Sequence, residues 1–110
     1  MTTTIYQAKK IITDGGADAT NVKTFSDHRK LLEMKDLDAV IVASPLHCHA
    51  RHFQDTLAAG KDLYSEKTMT WSIEEAEACL AAAKKASNRV VGIGQQHNSA
   101  GYFSEPRQWV

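Results

Sequence analysis

Apolar residues recur along the first half of the chain with two periods that change from segment to segment. Spacings of three and four residues over 5–14 predict a helix, which the pair Gly15-Gly16 ends. The alternating stretch 21–25 predicts a short strand, after which Ser26 is expected to cap a helix running to about residue 34. Segment 37–43 is almost continuously apolar, which is typical of a strand buried on both faces of a parallel sheet.

The second half repeats this alternation of helices and strands. A helix is predicted over 49–59, with Gly60 as its stop, followed by a short strand through Leu63 and Tyr64. Ser72 and Glu75 form a capping box ahead of a helix over 73–86, and 89–93 is the next strand. In this last helix the face expected to be buried consists of Ala76, Leu80 and Ala83.

The order of these elements predicts an α/β fold with a parallel sheet and right-handed crossovers. Segment 40–43 is expected to be the central strand, with one edge that lacks a partner and could promote self-association. Residues 1–4 are expected to form a disordered start, and residues 105–110 to begin another helix.

Composition limits the possible functions. At 110 residues there is room for one small domain, and 43% hydrophobic with 24% charged residues is ordinary for a globular protein. Thirteen basic and thirteen acidic side chains cancel, which gives no reason to expect a nucleic acid or a membrane as partner. Two cysteines without a secretory signal predict reduced thiols and a cytoplasmic location.

Four short motifs in order resemble the Gfo/Idh/MocA family of oxidoreductases. They are Asp-Ala-Val-Ile-Val-Ala-Ser-Pro at 38–45, His49 four residues after that proline, Ala-Gly-Lys at 59–61, and Glu66-Lys67. Gly-Ile-Gly-Gln at 92–95 also resembles the last Rossmann strand of the family. The pair His47 and His49 also resembles the His-Trp-His of some branches. The resemblance implies an incomplete Rossmann-like sheet with flanking helices: residues 5–97 form the second half of an NAD(P)-binding domain, and 98–110 lead towards a substrate domain.

The same resemblance implies a cofactor, a substrate class and a set of site residues. The cofactor is NAD or NADP, and the substrate is a sugar, cyclitol or similar polyol oxidised at a hydroxyl carbon. Lys67 is implied as the catalytic residue, with Glu66 as its orienting charge, because an ammonium group can polarise a carbonyl oxygen or help move the hydroxyl proton. The implied cofactor contacts are Ser44, Pro45, His47, His49, Glu66 and Lys67.

Three departures from the family pattern shape these expectations. The sequence has no Gly-x-Gly-x-x-Gly, since the run opened by Gly92 and Gly94 reaches His97 at its sixth position. Thr68 stands where the family has proline, and Leu46 stands where a polar residue is common. The chain by itself is therefore expected to bind dinucleotide weakly and to be inactive.

Each of these assignments has a simpler alternative. Ser44 and Pro45 also suit an ordinary turn between a strand and a helix, and Lys67 also suits a solvated surface lysine. The cluster His47, Cys48, His49 and His52 contains the ligand types that zinc prefers, but only His49 and His52 can share a helix face, so no metal site is predicted. The alternative function is a non-catalytic α/β interaction domain without cofactor.

Overall fold

The computed structural model describes residues 3–96, and the chain divides into two compact units, one reaching Leu31 and the other beginning at Leu32. The first unit contains helix α1 (Thr3–Asp14), which confirms the predicted helix and starts two residues earlier. Gly16 follows with φ of 82°, a left-handed conformation that glycine adopts without steric cost. Of the expected disordered start, Thr3 and Thr4 belong to α1, and residues 1–2 lie outside the described residues, as do 98–110.

The predicted strand over 21–25 is wrong. These residues form no strand, because extended backbone becomes a strand only when a neighbour completes the hydrogen-bond ladder. The following helix, α2 (His28–Leu32), is shorter than predicted. Its first turn is capped by Asp27 rather than Ser26, since Asp27 Oδ1 accepts the backbone N–H of Arg29 at 3.0 Å.

A three-stranded parallel sheet organises the second unit. Strands β1 (Ala39–Val42), β2 (Asp62–Glu66) and β3 (Val91–Gly94) lie in the order β1-β2-β3. The register pairs Val42 with Ser65 and Glu66 with Gly94. The predicted parallel sheet with flanking helices is confirmed.

The place of β1 in the sheet differs from the prediction. Within residues 3–96, β1 pairs only with β2 and is therefore an edge strand, not the central one, although it does have the unpartnered edge that was expected. It is also buried on one face only: Val42 is buried, whereas Ile41 is 74% exposed. An apolar run is compatible with either arrangement, because burial on both faces also needs a second layer of helices.

Two helices pack over the buried face of the sheet. Helix α3 (His49–Ala58) lies against β1 and β2, and α4 (Ile73–Lys85) packs on α3. Gly60, with φ of 71°, ends the turn after α3 as predicted. The core formed by these elements consists of Val42, Ala50, Phe53, Leu57, Leu63 and Cys79.

Helix α4 begins as predicted, and the face it turns to the core agrees with the predicted one only in part. The Ser72 hydroxyl accepts the backbone N–H of Glu75 at 3.2 Å, and the Glu75 carboxylate accepts the N–H of Trp71 at 2.7 Å. Cys79 is fully buried and Ala83 packs against the core, whereas Leu80 is 54% exposed, which corrects the prediction at Leu80. Among residues 3–96, no helix has the length and apolar character needed to cross a bilayer.

Candidate functional site

The carboxyl ends of β1 and β2 meet at one edge of the sheet, where the resemblance places the site. Val42 and Ser65 are the last paired residues of these two strands. Continuing the register by two residues places Ser44 level with Lys67. In open α/β sheets ligands bind outside this edge, so the predicted site segments lie where such a site belongs.

The segment after β1 turns immediately into helix. Ser44 is half-buried, and its Oγ lies 2.9 Å from Nδ1 of His52. Pro45 and His47 are exposed, and a 3₁₀ turn (Leu46–Cys48) leads into α3. The Pro45 carbonyl accepts the backbone N–H of Cys48 at 2.9 Å, which closes this turn. Ser44, Pro45 and His47 thus form an open surface at the edge.

His49, the first residue of α3, lies beneath that surface. Its side chain is 1% exposed. Nε2 lies 2.7 Å from the Ser44 carbonyl oxygen, and Nδ1 lies 2.7 Å from the Thr68 carbonyl oxygen. The ring therefore bridges the segment after β1 and the segment after β2.

Glu66 and Lys67, at the end of β2, have different surroundings. Glu66 is half-buried beside β3: a Cβ added at Gly94 would stand 2.9 Å from Glu66 Oε2 and 3.0 Å from the Tyr64 hydroxyl oxygen. Glycine at position 94 therefore leaves the room that both groups occupy. Lys67 is exposed, and its peptide bond to Thr68 is cis.

The expected pairing of Glu66 with Lys67 is not formed. Among residues 3–96 the Lys67 ammonium has no ion-pair partner. Lys67 thus presents a positive charge to solvent at the edge of the sheet, about level with Ser44. Such a cation is available to a hydroxyl or carbonyl oxygen that binds there.

The thiol and imidazole groups near this edge do not assemble into a metal site. Over residues 3–96, no three histidine, cysteine or acidic side chains are grouped as metal ligands would be. Cys48 is a half-buried free thiol, and Cys79 is a buried one. Burial raises the pKa of the Cys79 thiol, and the nearby charge of Glu75 raises it further. A group with that shift is a poor thiolate ligand or nucleophile.

Two site contacts could not be found from the sequence. His52 meets Ser44 across eight positions, and the Thr68 carbonyl meets His49 across nineteen. His52 lies one helical turn after His49, which is the only sequence signal that associates it with this edge. The Thr68 contact involves a backbone carbonyl, a group that every residue has, so no pattern of side chains could indicate it.

Comparison with known proteins identifies a family and several relatives that this chain resembles. Residues 1–95 match the profile of the Gfo/Idh/MocA oxidoreductase family, NAD-binding Rossmann fold. An uncharacterized oxidoreductase YrbE of Bacillus subtilis is 37% identical over 60 residues, which are 54% of this chain and 18% of that protein. D-xylose 1-dehydrogenase (NADP(+)) of Hypocrea jecorina is 36% identical over 74 residues, 64% of this chain and 17% of its own length.

A solved structure has the same arrangement of elements. Scyllo-inositol dehydrogenase from Lactobacillus casei, with bound NAD(H) and scyllo-inositol, superposes with a TM-score of 0.79 at 22% identity. The superposition covers 94% of this chain and 29% of that one. The chain thus spans less than a third of this structure and, by the aligned segments, less than a fifth of the two curated relatives. Because the family profile matches nearly the whole chain, the chain belongs to the Gfo/Idh/MocA oxidoreductase family and carries part of its NAD-binding Rossmann fold.

Proposed function

We propose that this chain is the part of an NAD(P)-dependent dehydrogenase that holds the nicotinamide end of the cofactor and supplies a catalytic lysine. The substrate is a polyol or sugar that is oxidised at one hydroxyl carbon. The chain by itself does not complete the enzyme, since residues 3–96 contain no Gly-rich turn to bind the pyrophosphate.

One observation supports this proposal above the others. The parallel register brings the turn at Ser44 and Pro45 and the exposed Lys67 to the same carboxyl edge of the sheet. The groups there suit a nicotinamide: Pro45 and the 41% exposed Leu46 offer apolar surface to a ring, and the Ser44 hydroxyl offers a hydrogen bond to a carboxamide. His52 fixes the orientation of that hydroxyl.

The proposed chemistry assigns a separate task to each of these side chains. When bound, the nicotinamide supplies the hydride acceptor for the carbon that carries the hydroxyl group. Lys67 donates a hydrogen bond to the substrate oxygen and, in its neutral form, takes the hydroxyl proton as the carbonyl forms. Ser44, Pro45 and His47 border the ring, and Glu66 lies at the end of β2 beside them.

The relatives support the substrate class. The Lactobacillus casei structure holds a cyclitol with NAD(H), and the Hypocrea jecorina relative is a sugar dehydrogenase that uses NADP(+). Both substrates carry neighbouring hydroxyl groups on a ring, which an exposed lysine beside a serine hydroxyl can recognise. Either nicotinamide cofactor fits this proposal, since the adenosine end, where the two differ, lies elsewhere.

A chimera tests the role of Lys67. Residues 38–95 would replace the equivalent segment of the Lactobacillus casei scyllo-inositol dehydrogenase, and the folded, NAD(H)-binding chimera would be the reference. We expect Lys67→Ala to lower its turnover number about 100-fold or more, the contribution of a positioned acid or base, while the Kd of NAD(H) changes much less. Steady-state kinetics and a calorimetric titration measure the two quantities.

The matched control is Lys84→Ala. Lys84 is an exposed lysine in the last turn of α4, away from the carboxyl edge, and its removal is expected to leave turnover unchanged. Normal turnover by the Lys67→Ala chimera would show that Lys67 is a solvated surface lysine. An equal loss in both variants would show that the effect is not specific to the site.

A further inference from the structure

His49 is buried at the place where the two site segments approach each other. Backbone pairing between β1 and β2 ends at Val42 and Ser65, so the ladder stops before it reaches Ser44 or Thr68. Beyond that point the His49 ring lies between the two segments, 2.7 Å from a carbonyl oxygen on each. The ring therefore continues the connection that the strands no longer make.

The ring is the donor in this connection, because a carbonyl oxygen can only accept a hydrogen bond. An imidazole donates through the nitrogen that carries its proton, and in the tautomer with the proton on Nδ1 the ring donates to the Thr68 carbonyl. That bond holds the backbone of the residue that directly follows Lys67.

We propose that His49 is a positioning residue that donates its Nδ1 proton to the Thr68 carbonyl and so ties the start of α3 to the segment that carries Lys67. Thr68 directly follows Lys67, and fixing the Thr68 carbonyl limits the positions that the lysine can take at the edge. The importance of this link for catalysis rests on the proposed function of Lys67. The link itself is a property of the folded chain.

Burial favours this role. The His49 side chain is 1% exposed, so water has little access to compete with the Thr68 carbonyl for the ring N–H.

The first measurement uses the 110-residue chain without cofactor. Long-range ¹H–¹⁵N correlation spectra of the ¹⁵N-labelled chain report which nitrogen of each histidine carries a proton. We expect Nδ1 of His49 to carry a proton that exchanges slowly. A His49 ring with a bare Nδ1 would overturn the proposal.

The second measurement uses two variants that share a functional group and differ by one methylene. In His49→Asn the amide nitrogen can take the place of Nδ1 and keep the bond to Thr68, whereas in His49→Gln it can take the place of Nε2 and keep the bond to Ser44. We expect hydrogen exchange of the Lys67 and Thr68 amides to be at least about tenfold faster in the Gln variant than in the Asn variant. Exchange at Leu63, in the core, checks that both variants are folded.

The results separate positioning from a merely structural role. A structural role would change exchange at residues 67–68 equally in the two variants, and that outcome, or no change in either, would overturn the proposal. Neither measurement involves NAD(P), so the link can fail while the proposed dehydrogenase function stands. The dehydrogenase function can likewise fail in the Lys67 chimera while the link is observed.

Discussion

At the scale of single residues, the acidity of Asp27 is set by its neighbour two positions along the chain. The Arg29 guanidinium meets the carboxylate with both of its arms, Nε at 3.0 Å and Nη2 at 2.8 Å, and the Arg29 backbone N–H adds a third bond at 3.0 Å. These bonds lower the pKa of Asp27 to about 2. An ordinary aspartate has a pKa of about 3.9.

The sign of the resulting pH dependence follows from this lowered pKa. Folding favours the charged carboxylate, so the stabilisation is fully present above the unfolded-state pKa and is lost as the pH falls through about 2. We expect a ¹³C titration of the Asp27 carboxyl to have its midpoint near that value, and Arg29→Gln to move the midpoint upwards. Arg51→Gln removes a similar exposed partner, that of Asp55, and should leave Asp27 unchanged. An Asp27 midpoint near 3.9 in the unmutated chain would contradict the prediction.

Residues of the candidate site were predictable to different extents. The positions of Ser44 and Lys67 follow from the sequence, because each comes after a recognisable strand and parallel strands end at the same edge. The partners of His49 do not follow from it, since they depend on how α3 packs against the end of β2. The sequence indicated a histidine near the cofactor, and the packing shows that both of its ring nitrogens already have partners.

At the scale of elements, α4 shows why helix boundaries are easier to predict than helix faces. Its start depends on the local pair Ser72 and Glu75, which the sequence contains in full. Its buried face depends on where α3 contacts it, and a helix rich in alanine offers several faces of similar hydrophobicity. Cys79 is the residue that the packing buries, one position before the Leu80 that periodicity indicated.

Paired substitutions in α3 and α4 test this packing. Leu57 is 5% exposed in the core, whereas Leu80 is 54% exposed on α4. We expect Leu57→Ala to lower the free energy of unfolding by about 2–5 kcal/mol through lost burial and a cavity. Leu80→Ala should change it by about 0.5 kcal/mol or less. Urea unfolding followed by circular dichroism measures both changes. A larger loss of unfolding free energy for Leu80→Ala than for Leu57→Ala would show that Leu80 lies in the core, as periodicity predicted.

At the scale of the whole molecule, the described sheet has one covered face and one exposed face. The register places Ile41, Tyr64 and Gly92 side by side on the exposed face, where Ile41 is 74% and Tyr64 46% exposed. The alternation of helices and strands was enough to predict a parallel sheet, because it depends on local periodicity alone. The same alternation could not predict which faces of the sheet are covered by helices, since this coverage depends on all the elements that pack together.

This exposed strand leads to the prediction that the 110-residue chain self-associates through β1. Within residues 3–96 one edge of β1 has unpaired backbone groups, and the adjacent Ile41 side chain adds apolar surface, a combination that favours pairing between chains. Sedimentation velocity over a range of concentrations should show reversible association. Ile41→Lys should weaken it, because a charged side chain on an edge strand opposes pairing.

The matched control is Ile73→Lys. It changes an equally exposed isoleucine, 76% accessible, at the start of α4, and should leave association unchanged. A chain that stays monomeric at high concentration, or an equal effect of the two substitutions, would show that β1 is not the associating edge.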